Sequence, residues 1–111
     1  MIMNYLIKIK NDKVLLDVLK EKALNSDKEI CGFICDGKFT ERENIHPDPV
    51  NYFLISPKEC IWGDGVILFH SHPKHIEKTG FSTWDLDNQY FFHLDMVLYS
   101  VNNDEFYYKE K

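Results

Sequence analysis

Cysteine is scarce in this chain, and its spacing gives little to a structural metal knuckle. Cys31, Cys35 and Cys60 are an odd number with no CxxC pair, whereas structural zinc sites usually draw on two sets of closely spaced ligands. Their simplest reading is free thiols in a reducing compartment. Positive charge is also short. Thirteen Lys and Arg face eighteen Asp and Glu, a net charge of -5, and the basic residues never cluster. That balance disfavours nucleic acid as a general partner, because phosphate binding needs a basic surface. No apolar run approaches the roughly 18 residues of a membrane span, which predicts a soluble domain. The N-terminal MIMNYLIKIK is too short and too interrupted by lysine for a signal peptide. Repeats, low-complexity tracts and obvious linkers are missing as well. What is present is a 44% apolar, 14% aromatic chain of 111 residues, enough for one folded domain over 1–111 with a single buried core.

Local patterns outline an α/β protein. YLIKI (5–9) alternates as a short strand would. The stretch 11–26 has the period of an amphipathic helix, with Asn11 or Asp12 as cap and Val14, Leu15, Val18, Leu19 and Ala23 on one face. EICGFIC (29–35) reaches an Asp-Gly hairpin signal and returns as 38–45. Two prolines make 46–51 a loop, and YFLI (52–55) suits another short strand. Ser56 and Pro57 open a helical turn. VILFH (66–70) is a continuous apolar run, as in a central strand buried on both faces. A helix over 82–93 and strands over 95–101 and 105–109 complete the order. The expected architecture is a mixed sheet flanked by helices.

The chemistry concentrates at the end of the central strand. His70 and His72 are spaced i and i+2, so on a strand both imidazoles leave from one face. Asp85, on the first turn of the next helix, can return as a third ligand. Two neutral nitrogens and one carboxylate favour Zn2+ with a position left open to water. An ion so held would lower the pKa of that water and polarise a carbonyl. The site then needs a base that is not a ligand. Glu29 is a candidate, although nothing in the sequence alone brings it near His70.

Glu29, the run His70-Ser71-His72-Pro73, Ser82 and Asp85 together resemble the signature of the JAMM (JAB/MPN) metalloprotease family: a glutamate, a distant His-x-His-Pro, then Ser-x-x-Asp. EICGFICDG, NYFLISPKE and VILFHSHP extend the likeness along most of the chain, and it is nearest to the JAB domain of tail assembly peptidases of long-tailed phages. The resemblance implies a JAB/MPN-type, cytidine-deaminase-like mixed sheet and a zinc-dependent peptidase or isopeptidase. It implies His70, His72 and Asp85 as zinc ligands and Glu29 as the general base that passes a proton to the leaving amine. Ser82 would hydrogen-bond the oxyanion. It further implies a peptide or protein substrate, tail-tip proteins as partners, and residence in the phage virion after synthesis in the host cytoplasm. The alternatives are a structural tail-tip protein that retains the metal, and a bacterial cytoplasmic enzyme that removes a ubiquitin-like modifier or processes a sulfur-carrier protein.

One departure stands out. The commonest family spacing has six residues between the proline and the serine, and KHIEKTGF supplies eight, so the loop beside the cleft is changed. His75 falls in that loop and reads as a solvated histidine. His46 and His93 read as surface or satisfied groups, and Asn51 as a possible support from the opposite strand. Ser71 should point away from the metal and carries no catalytic role. Ser82 also fits a helix capping box, a role compatible with facing a cleft. Trp62, Trp84, Phe91 and Phe92 read as core or interface aromatics.

Overall fold

A computed structural model describes residues 4–111. Five strands form one mixed sheet: β1 (Cys31–Cys35), β2 (Lys38–Arg42), β3 (Ile67–His72), β4 (Asp95–Ser100) and β5 (Glu105–Lys109). Their spatial order is β2-β1-β3-β4-β5. Only β3 and β4 run parallel; the other neighbours are antiparallel. The parallel step needs a crossover, and helix α3 (Thr83–Phe92) supplies it. Helices α1 (Tyr5–Lys10) and α2 (Lys13–Leu24) precede the sheet. The molecule is thus an α+β fold with a mixed five-stranded sheet flanked by helices.

The sheet is covered on both faces. On one face Leu6, Ile9, Leu15, Leu19 and Ala23 of the two N-terminal helices meet Ile34, Ile67, Phe69, Val97 and Tyr99. On the other, Phe53, Ile55, Phe92 and Leu94 meet Cys31, Phe33, Leu68 and Met96. β3 is buried along its whole length, as its unbroken apolar run requires. Where β1 crosses β2, side-chain room disappears: a Cβ on Gly32 would collide with Thr40 O and the Phe39 ring.

Two expectations are corrected. Residues 5–9 form a helix and not a strand. Asn4 Oδ1 accepts the N–H groups of Leu6 and Ile7, and Leu6 and Ile9, three apart, are the buried pair. A five-residue alternation fits both periods; the cap and the i, i+3 burial decide it. Residues 52–55 form no strand. Their ladder position is taken by one backbone bond, Ile45 N–H to Leu54 O, and by Asn44 Oδ1 accepting Leu54 N–H. Phe53 and Ile55 are buried nonetheless. The stripe on α2 is also narrower than expected, since Val14 and Val18 face solvent while Leu15, Leu19 and Ala23 are buried. The helical turn after Ser56 is a single 3-10 turn, Pro57–Glu59.

Candidate metal centre

Strand register builds the centre. In the antiparallel pairing of β1 with β3, Cys31 stands opposite His70 and Gly32 opposite Phe69. Continued two residues further, the same register sets Glu29 beside His72, and the bond from Ser71 N–H to Ile30 O marks that continuation. The parallel pairing of β3 with β4 places Leu98 beside His70 and Ser100 beside His72. Directly opposed residues share a face, so Glu29, in the segment leading into β1, lines up in one row with His72 of β3 and Ser100 of β4. Cys31, His70 and Leu98 form the next. The forty-three-residue separation of Glu29 and His72 collapses into one cross-strand step.

Asp85 arrives from the crossover helix. Ser82 is the N-cap of α3; its Oγ accepts Asp85 N–H at 3.1 Å, and Ser82 N–H donates back to Asp85 Oδ2 at 2.9 Å. This reciprocal box fixes the carboxylate. The same Oδ2 lies 3.0 Å from His72 Nε2 and 3.1 Å from His70 Nε2. Glu29, His70, His72 and Asp85 each offer one ligand atom, and all four atoms lie within 4.8 Å of one another. The four side chains are 2%, 0%, 3% and 1% exposed, so water screens their charges very little.

The donor set fits a divalent cation of the zinc class. Ligand atoms around a tetrahedral ion with bonds of about 2.0–2.1 Å stand roughly 3.3 Å apart, a few tenths wider than the separations from Asp85 Oδ2. Among the described residues, Glu29 Oε1 and His70 Nε2 are buried and make no hydrogen bond. Buried polar atoms normally find a partner, and these two belong to residues whose ligand atoms lie within 4.8 Å of one another. His70 Nε2 is close to Oδ2 but off the line a hydrogen bond needs. Phe53 stacks on the His70 ring at 4.6 Å and is itself held by Trp84 Nε1, which donates to Phe53 O at 2.8 Å.

Burial sets the protonation states. It lowers the pKa of His70, against the opposing pull of the Asp85 charge, and the neighbouring His72 lowers it further. The net direction favours the uncharged imidazole of His70. For Asp85 burial acts upward, but His70, the hydrogen bond from His72 and the Ser82 N–H outweigh it, and the carboxyl lies well below its usual range. Glu29 goes the other way. Burial, then the charges of Asp85 and Asp48, push it up to about 10. A neutral imidazole beside a carboxylate, with a second carboxyl that resists ionising nearby, is an environment short of positive charge.

Several residues that sequence reasoning passed over hold this geometry. Asn44 Nδ2 lies within hydrogen-bond range of Glu29 O, Pro49 O and Tyr52 O, while its Oδ1 accepts from His46 and Leu54. It ties the Glu29 segment to the 46–54 loop. Ser71 Oγ accepts Ile30 N–H at 2.9 Å, which clamps the segment carrying Glu29 against β3. An asparagine in a polar run and a serine between histidines carry no sequence signal for either role. Asn51 does not touch the four-residue cluster; its Oδ1 meets His75 Nε2 at 3.0 Å on the surface. His46 accepts Asp48 N–H on Nδ1 and packs edge-on against Trp84. His93 is the exposed left-handed C-cap of α3. Among the described residues no helix is long and apolar enough to cross a membrane.

No protein-family model matches this chain, and no curated protein matches it. The buried Glu/His/His/Asp cluster is consistent with a metal-binding site on its geometry alone.

Proposed function

We propose that this chain is a zinc-dependent peptidase or isopeptidase of the JAMM type, acting on a peptide or protein substrate as a component of a phage tail tip. The observation that carries the catalytic part is the convergence of Glu29, His70, His72 and Asp85 within 4.8 Å, on β3, the segment leading into β1 and the crossover helix. The tail-tip part rests on the sequence resemblance.

His70 and His72 would hold the ion through Nε2 and Asp85 through Oδ2, the last kept in place by Ser82 N–H. A bound zinc would supply Lewis acidity toward water and carbonyl, and the positive charge that returns Glu29 to its carboxylate form. Glu29 would take a proton from the water as it adds to the carbonyl carbon and forms the new C–O bond, then deliver it to the amine nitrogen as the oxyanion collapses and the C–N bond breaks. Ser82 Oγ accepts Asp85 N–H and keeps its own O–H to donate to the oxygen that gains charge. The Phe53 ring over His70 keeps bulk water from the ligand side.

Ser82→Ala separates the two roles of that serine. Loss of an oxyanion donor is expected to reduce kcat by about 10²–10³, and loss of the cap to cost about 1 kcal/mol of stability. Steady-state kinetics and urea denaturation measure them separately; an unchanged kcat would confine Ser82 to capping.

A second reading draws on the burial of all four side chains, 0–3% exposed: a structural metal site in a tail protein without turnover. The zinc-loaded chain, incubated with lysine-linked isopeptides and cell-wall cross-link peptides, decides by mass spectrometry. The enzyme reading expects cleavage that stops on chelation and returns with zinc. A zinc-loaded chain that cleaves none of them supports the structural reading.

A further inference from the structure

Three buried polar atoms beside the centre have no use in the proposed reaction. Ser100 Oγ, His72 Nδ1 and His70 Nδ1 lack a hydrogen-bond partner among the described residues, and the first two lie on neighbouring strands. Ser100 is 1% exposed and His72 3% exposed, so solvent does not satisfy them. The two residues are direct register partners on the parallel strands β3 and β4. Their side chains therefore leave from the same face, with Glu29 on the opposite side of His72 in the same row. Oγ is one bond from Cβ and Nδ1 is two, and parallel strands lie about 4.8 Å apart. The two atoms make no hydrogen bond as placed, and a turn of the serine χ1 is the motion that would bring Oγ toward Nδ1.

His70 has no equivalent neighbour. Its register partners are Leu98 and Cys31, and the Cys31 thiol is directed at Arg42 O. Of the β1 and β4 residues in register with the two histidines, Ser100 alone sets a free hydroxyl beside an imidazole.

We propose that Ser100 is a positioning residue for the metal centre: its Oγ accepts the Nδ1–H of His72 and so fixes the tautomer and ring orientation that present Nε2 to the ion. This rests on the metal-centre reading above. His72 Nε2 faces Asp85 Oδ2 at 3.0 Å. A ligating imidazole carries its hydrogen on Nδ1, and that N–H then needs an acceptor. Histidine ligands almost always donate their second N–H to such a partner.

The test compares wild type, Ser100→Ala and Ser100→Thr with zinc as the only ligand. Affinity is read by competition with a chromophoric chelator, metal-free stability by thermal unfolding, and histidine tautomers by long-range proton–nitrogen NMR of the zinc-loaded proteins. Removing an outer partner of a ligand typically costs 10–100-fold in metal affinity, and that loss is expected for Ser100→Ala. Its metal-free Tm is expected to stay at or above wild type, because the hydroxyl removed is a buried atom without a bond. The Nδ1–H resonance of His72 should weaken while that of His70 persists, and Ser100→Thr should recover most of the affinity. Ser100→Ala with wild-type zinc affinity and an unaltered His72 resonance overturns the proposal and leaves the metal centre standing. A fall in metal-free Tm with no loss of affinity also overturns it, by making Ser100 purely structural. A wild-type chain that binds no zinc overturns both readings together.

Discussion

Glu29→Gln is expected to stop amide hydrolysis, leave the metal bound, and make the metal-free protein more stable at neutral and alkaline pH. The first effect follows from the role of the carboxylate. A positioned general base contributes about 10²–10⁴-fold, and an amide of the same shape cannot accept the proton. Metal stays because His70, His72 and Asp85 remain. The third effect follows from burial. In the metal-free fold the Glu29 carboxyl is pushed from its ordinary value near 4.5 up to about 10. Folding therefore favours its protonated form. That contribution is complete below pH 4.5 and drains away as the pH rises toward 10, with a slope of at most about 1.4 kcal/mol per pH unit. Glutamine carries no proton to lose, so the variant should show a flat stability profile where the metal-free wild type declines. Thermal unfolding from pH 5 to 9 with and without zinc measures this. Zinc should flatten the wild-type profile, because a cation beside Glu29 removes the cost of its charge. Undiminished turnover in Glu29→Gln would remove Glu29 from the mechanism, and parallel pH profiles would show that its burial does not control its charge.

The second large effect is expected at Asp85. One oxygen, Oδ2, accepts Ser82 N–H and pairs with His72 Nε2, with His70 Nε2 alongside. Asp85→Ala strips all three groups at once. It is expected to abolish zinc binding and to destabilise the metal-free fold by about 1–3 kcal/mol, the cost of leaving a buried polar group unsatisfied. Asp85→Asn keeps the size and an oxygen acceptor for the cap but loses the charge. It should retain most of the stability while its zinc affinity falls at least tenfold. Because the Asp85 pKa is depressed, its stabilisation is present above the ordinary value of 3.8 and is lost as the pH falls below it. Wild type should therefore lose stability in acid that Asp85→Ala has already lost. An Asp85→Asn variant that binds zinc as tightly as wild type would remove this carboxylate from the ligand set.

The parts of this fold that were legible in the sequence are those governed by local chemistry. Ser82 caps α3 and β5 spans Glu105–Lys109, where capping residues and alternation announce them. Residues 5–9 misled because five alternating residues do not distinguish a strand from a helix that buries only Leu6 and Ile9. Residues 52–55 misled because Phe53 and Ile55 are buried without a ladder, the pairing having been taken over by an asparagine side chain. At the centre, the His70–His72 spacing was readable because it depends only on the two-residue period of a strand. The approach of Glu29 was not, since it depends on the register between β1 and β3, which no local pattern records. Only the resemblance pointed to it. Asn44, Ser71 and Ser100 stayed invisible for the same reason, being common polar residues whose work is defined by what the sheet sets beside them.

Diffraction from crystals of the zinc-loaded protein, recorded on either side of the zinc absorption edge, locates the ion directly. One anomalous peak per chain is expected, placed among His70 Nε2, His72 Nε2 and the Asp85 carboxylate, with Glu29 alongside. A zinc-loaded crystal with no peak there, or with its zinc held by other residues, would contradict the proposed metal centre.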